Sequence, residues 1–131
     1  MRRDVALIIL YDRDKRVLLQ HRSVDAPRLP DHWAFFGGGI EEGETPLAAV
    51  TREATEELGY ELQGPKLVMT QKYSDDDTFG TKYVFMEAYD SSQQPVLKEG
   101  QDMGWFSIPD TRRLKIVWHD RNVLVTLEKK Y

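Results

Sequence analysis

Three glutamates, Glu53, Glu56 and Glu57, stand at i, i+3 and i+4 within Thr45–Leu58, a run that reads as helix. At 3.6 residues per turn, that spacing gathers the three side chains on one face. Left alone they are unfavourable. Like charges so placed cost about 0.2–0.5 kcal/mol per pair, and they lie toward the helix C-terminus, where the dipole also disfavours anions. A hard divalent cation removes both objections. An all-oxygen ligand set suits Mg²⁺ or Mn²⁺, and Mg²⁺ shares its carboxylates with substrate phosphates. The competing reading is a solvated acidic face, but that leaves unexplained the run Gly37–Gly39, Glu44, Arg52 and a capped helix, all at fixed offsets.

The helix carries its own boundaries. Thr45 suits the N-cap, Pro46 the first helical position and Gly59 the left-handed position past the end. Leu47, Val50, Ala54 and Leu58 form a neighbouring apolar face, so the helix can pack while presenting its carboxylates. Upstream, Val5–Tyr11 and Arg16–His21 read as a hairpin around the polar turn 12–15. Ser23–His32, with Pro27 and Pro30, reads as a loop, and Trp33–Phe36 as a short strand running into the glycines. Downstream, Lys66–Ser74 and Phe79–Tyr89 read as strands around Asp75–Thr78, a solvated turn, followed by a short strand at Gly104–Ile108. Ile116–Lys129 reads as a closing amphipathic helix carrying Ile116, Val123 and Leu127. Strands on either side of one central helix, with a second helix at the end, predict an α/β sandwich around a mixed β-sheet, with residues 1–131 as a single domain.

Bulk properties narrow the partners. The 131 residues are 40% hydrophobic and 31% charged, as in an ordinary water-soluble domain. No apolar run approaches the roughly 20 residues that span a bilayer, and Met1–Asp4 leads into the first strand without a signal-peptide pattern. Cytoplasm is the default expectation. A net charge of −4 without a basic block argues against a nucleic-acid polymer as partner. With no cysteine, thiolate metal sites and disulfides are excluded. His21, His32 and His119 do not stand at ligand spacing and read as surface or packing residues; Trp105 and Trp118 read as core or rim aromatics.

The stretch from Gly38 to Tyr60 resembles the Nudix box: Gly, five residues, Glu, seven residues, Arg-Glu, an apolar residue, any residue, Glu-Glu, any residue, Gly, an apolar residue. Gly38, Glu44, Arg52, Glu53, Glu56, Glu57 and Gly59 meet every charged and glycine position. The resemblance implies a Nudix-type α/β/α sandwich and Mg²⁺- or Mn²⁺-dependent hydrolysis of a diphosphate bond in a nucleoside diphosphate joined to another group. It implies that Glu53, Glu56 and Glu57 hold metal or activate water, that a main-chain carbonyl at Gly37–Gly38 also touches metal, and that Glu44 and Arg52 pair to orient the cluster. Tyr60 stands where an aliphatic residue is usual, Phe36 where Pro is frequent and Gly39 where Lys is frequent; the last removes a phosphate contact.

Outside the box, Lys98–Gln101 followed by Trp105 is similar to the region that supplies a further carboxylate in MutT-type enzymes, which makes Glu99 a candidate metal ligand. The same likeness points to Arg22 facing the nucleotide and to Phe35 either stacking on a base or packing in the core. Asp120 and Asn122 compete to read a purine edge. The expected substrate is a (deoxy)nucleoside triphosphate, an oxidised purine such as 8-oxo-dGTP among them, cleaved to monophosphate and pyrophosphate by a monomer or homodimer. Hydrolysis of dinucleoside polyphosphates or nucleotide sugars, and nucleotide sensing without turnover, are the competing functions.

Overall fold

The computed structural model describes residues 1–130. Its axis is β1 (Val5–Tyr11), seven apolar residues in succession. The run is continuous because both of its faces are covered: Val5, Leu7 and Ile9 enter one core, and Ala6, Ile8 and Leu10 enter the other. On one edge of β1 lies β6 (Thr78–Ala88), parallel to it from Val5 opposite Lys82 to Tyr11 opposite Ala88. The other edge is shared by β2 (Val17–His21) and β4 (Phe36–Gly39), both antiparallel. A hairpin joins β5 (Lys66–Asp75) to β6, while β3 (Trp33–Ala34) and β7 (Asp102–Phe106) both pair with β2. One parallel pair among antiparallel ones makes the seven-stranded sheet mixed, as expected.

A helix covers each face. α1 (Pro46–Leu58) packs Ala49, Val50 and Leu58 against Ala6, Ile8, Leu10 and Phe36, whereas α2 (Trp118–Lys130) packs Val123, Leu124 and Leu127 against Val5, Leu7 and Ile9. Tyr60 fits the aliphatic position by burying its whole ring and accepting the Asp90 N–H on its hydroxyl at 2.8 Å. A buried Tyr with a satisfied hydroxyl costs nothing in polarity.

Several local expectations shift. The anticipated strand at Trp33–Phe36 breaks at Phe35 into β3 and β4, which pair with different neighbours. β7 starts two residues early, because Asp102 and Met103 still find partners on β2. α2 begins at Trp118, since Ile116 is engaged in a bridge to Trp33. The β5–β6 turn tightens to Asp76–Asp77, with Asp76 at φ 29°. Leu47 is half-exposed and lies beside Thr51 and Thr55 on the outer surface of α1. Periodicity gives direction around a helix, not whether a neighbour reaches that far along its axis, and Ala49 takes the core position instead.

Candidate active site

The local sequence around α1 forms the helix as expected. Thr45, extended at φ −77° and ψ 157°, accepts the Ala48 N–H on its hydroxyl at 3.1 Å. Gly59 ends the helix at φ 60° and donates to the Thr55 carbonyl at 2.9 Å. The three glutamates share a face but not an environment. Glu57 is 4% exposed, the Glu53 side chain 15% and the Glu56 side chain 56%, so the carboxylate row climbs from core to solvent.

Arg52 organises that row. Its Nε and Nη2 grip both oxygens of Glu44 at 2.9 and 3.0 Å, a bidentate pair. Its Nη1 reaches Glu53 at 3.0 Å and Glu56 at 3.3 Å, and Nη2 also donates to the Gly39 carbonyl at 3.2 Å. The hydrogen bonds from Arg52, with the Glu41–Glu44 turn, lower the Glu44 pKa to about 2. Arg52 is held firmly charged by Glu44 first and Glu53 second.

The glycines let β4 lie against the row. Gly37 has φ 137°, and a Cβ there would meet the Ala6 carbonyl oxygen at 2.2 Å; at Gly38 it would meet Glu53 Oε1 at 2.7 Å. No larger residue fits at Gly37, and one at Gly38 would displace the Glu53 carboxylate. The Gly37 N–H donates to Glu57 Oε1 at 2.7 Å. That bond favours the anion, but burial outweighs it and is reinforced by the charges of Glu53 and Glu99, so the Glu57 pKa rises to about 8. Burial also raises that of Glu53, against the pull of Arg52.

Glu99 comes into electrostatic reach because its loop caps the end of α1. The N–H groups of Val96 and Lys98 donate to the Leu58 and Glu57 carbonyls at 2.8 and 2.9 Å, satisfying groups that every helix end leaves open. The Glu99 carbonyl then accepts from Gln20 at 3.2 Å. Its exposed carboxylate disfavours charge on both Glu53 and Glu57.

Gly37 and Gly38 also form one wall of a small cleft of about 100 Å³. Arg22 lines it, its Nε donating to the Arg28 carbonyl at 2.8 Å, within the electrostatic reach of Glu57 and Glu99. Phe35 borders the cleft but is packed in the α2-side core, so its ring is not an open stacking platform. Asp120 lies at the cleft floor, and Asn122 does not line the cleft. Asn122 stands two residues further along the helix, which turns its side chain about 200°, onto the exposed face.

The cations Arg3, Arg28 and Lys82 line the cleft and escaped the sequence reading. Arg3 lies just before β1 with its guanidinium 3.4 Å from where a Gly39 side chain would begin. A cation thus reaches the position that Gly39, in place of Lys, leaves without one. Lys82 sits buried on β6 and is ion-paired to Asp120. His119, read as a surface or packing residue, is buried beside them. Asp75, read as part of a solvated turn, pairs with His119 Nε2 at 3.0 Å and with Arg28 at 3.5 Å. Only the register of β6 on β1 signals Lys82: it stands opposite Val5, on the same sheet face as core residue Val84.

Residues 1–127 match the family model described as NUDIX domain. The chain belongs to the Nudix family. This Nudix hydrolase is 28% identical to the dihydroneopterin triphosphate diphosphatase of Escherichia coli K12, over 90% of the chain and 87% of that relative. It is 32% identical to the 8-oxo-dGTP diphosphatase of the same organism, over 79% of each. In fold it matches a MutT protein from Methanosarcina mazei Go1 with a TM-score of 0.88, at 16% identity, over 98% of this chain and 94% of that one.

Among the described residues, no three His, Asp or Glu side chains converge on one point. Glu57 is turned to Gly37, while Glu53 and Glu56 are turned to Arg52. The donor set nevertheless fits a hard divalent cation. It offers carboxylate oxygens only, in a cradle that a single Cβ at Gly38 would fill, and its two inner members are disfavoured as anions without a cation.

Proposed function

We propose that this Nudix hydrolase cleaves the triphosphate of a nucleoside-like molecule to a monophosphate and pyrophosphate, with Mg²⁺ or Mn²⁺ as cofactor. The observation that carries this reading is a cleft in which the cations Arg3, Arg22 and Arg28 share the lining with the box glycines Gly37 and Gly38. Two box carboxylates lie directly against those glycines: Glu57 accepts the Gly37 N–H, and Glu53 is packed on Gly38. Phosphate oxygens pair with guanidinium groups there, while Glu53, Glu56 and Glu57, with the Gly38 carbonyl and Glu99, would hold the divalent cation.

When bound, that cation neutralises phosphate oxygens and makes water a better nucleophile. The chain's own residues position and stabilise. Arg52, itself anchored on Glu44, fixes Glu53 and Glu56, so the carboxylates need little reorganisation. Glu57, the most buried, is the group best placed to hold a proton taken from water. Asp120 contacts the base from the floor.

The test is a substrate panel assayed with Mg²⁺ and with Mn²⁺, products identified by mass spectrometry. Monophosphate and pyrophosphate from a nucleoside-type triphosphate are expected. A roughly hundredfold preference in kcat/KM for nucleotide sugars or dinucleoside polyphosphates would overturn the triphosphate reading. No turnover of any diphosphate compound, with nucleotide binding intact, would favour a sensing role.

A further inference from the structure

A larger cavity, of about 790 Å³, opens on the α2 side of the sheet away from the catalytic cleft. β1 carries Val5 in the cleft and Tyr11, at its other end, in this groove, so about 20 Å of strand separates the two. Hydrolysis in the cleft makes no use of it. Its volume falls within the range of small-molecule sites, roughly 300–1,000 Å³. The groove exists because α2 is short: its last core contact is Leu127, and the sheet face continues past it.

The floor takes one residue from each of four neighbouring strands: Val17 on β2, Tyr11 on β1, Met86 on β6 and Val68 on β5. Three strand spacings make that floor about 14 Å long. A bulge extends it at the β5 end. Leu67 lies opposite Phe85 and Met69 opposite Val84, which leaves Val68 as the extra residue, and Val68 and Met69 both turn to the α2-side core. Ile108 and Leu127 add apolar walls.

Charge is placed at one end of this apolar track. Lys66 lies opposite Met86 on β5, so its side chain leaves the same sheet face as the floor. The two carboxylates of the groove are already engaged, Asp14 by Arg16 at 3.7 Å and Glu128 by Arg112 at 2.7 Å. The Lys66 ammonium has no ion pair among the described residues. An apolar track that ends on an unmatched cation is complementary to a molecule with an apolar tail and one anionic head. We propose that the groove binds an aliphatic monocarboxylate, a saturated chain of about ten carbons matching the length of the floor. Its carboxylate accepts from Lys66, and its chain crosses Met86 and Tyr11 to end against Val17 and Leu127. Met86 is unbranched and adapts to such a chain.

Calorimetric titration of the protein with decanoate, decyltrimethylammonium and acetate, below micellar concentrations, tests both the charge and the chain. Decanoate is expected to bind with a Kd on the order of 10–100 µM, and the other two at least about tenfold more weakly. Lys66→Glu is expected to weaken decanoate about tenfold or more, with hydrolysis in the cleft unchanged. Amide chemical shifts in wild type locate the site: decanoate should move Val17, Val68, Met86 and Leu127. No decanoate binding at about 1 mM, equal affinity for decyltrimethylammonium, or an unchanged affinity in Lys66→Glu overturns the proposal. Shifts gathered instead at Val5, Arg22 and Gly38 would put the carboxylate in the catalytic cleft and overturn it as well. Should Lys66→Glu fail to fold, the wild-type affinities and shifts decide.

Discussion

Charged side chains gather in two places in this protein, by opposite routes. Glu44, Arg52, Glu53, Glu56 and Glu57 lie within fourteen consecutive residues, numbers 44 to 57, on or just before one helix, and their exposure rises steadily outward. Arg28, Asp75, Lys82, His119 and Asp120 come from a loop, a hairpin and the last helix, and most are buried. In the first cluster, anions outnumber the single arginine and partial solvation makes that tolerable; the surplus negative charge is left for a cation. In the second, each charge is matched, because an unmatched one could not be buried at all. An excess of charge near solvent leaves room for a counter-ion, whereas a matched buried set is closed on itself.

The largest expected effect falls on the first cluster. Glu57→Gln should lower turnover on the order of 10³-fold while circular dichroism stays native, because the amide oxygen can still accept the Gly37 N–H. Near-wild-type turnover on a genuine substrate would remove Glu57 from the reaction.

Asp120→Ala strikes the second cluster and should act on stability. It leaves the Lys82 ammonium buried without its partner, a loss of about 3–5 kcal/mol, or on the order of 10 °C in Tm for a domain this size. Lys82→Met combined with Asp120→Leu should recover most of that loss. A melt of Asp120→Ala within about 2 °C of wild type would mean that water reaches the pair.

Acidity separates the clusters more gently. Burial raises the Glu57 carboxyl to about 8, against 4.5 for an ordinary glutamate. The folded state therefore binds that proton more tightly than the unfolded chain. The stability this gives is complete below about pH 4.5 and is lost as pH rises through about 8. Thermal melts in EDTA should fall by several degrees from pH 5 to 8.5, and less steeply in Glu57→Gln. Saturating Mg²⁺ should oppose the fall, since it binds the anion. A metal-free Tm that rises over this range would contradict the burial argument.

Arg3→Ala should raise KM for a triphosphate about tenfold, the weight of one charge-assisted contact, with a smaller rise for Arg3→Lys. Glu56→Gln should shift metal-free stability by less than about 1 kcal/mol, because that carboxylate is largely solvated. A fall as large as that of Asp120→Ala would erase the contrast between the two clusters.

Sequence alone determined the family, the α/β class and the whole of the first cluster. Its parts are local: cap, glycine run and carboxylate spacing all act within one helix and the turn before it, where 3.6 residues per turn converts position into direction. The continuous apolar run of Val5–Tyr11 likewise needed only a strand buried on both faces. Tertiary structure decided what depends on pairing. It placed Asp120 on the cleft and Asn122 on the exposed face by setting the rotation of α2 against the sheet, and it packed Phe35 into the core. Sheet register alone put Lys82 over the cleft, and the entry into β1 alone brought Arg3 to Gly39. In the one-dimensional chain Lys82 and Asp120 are 38 residues apart, and no local periodicity relates residues that meet only when β6 pairs with β1 and α2 packs on the sheet they share.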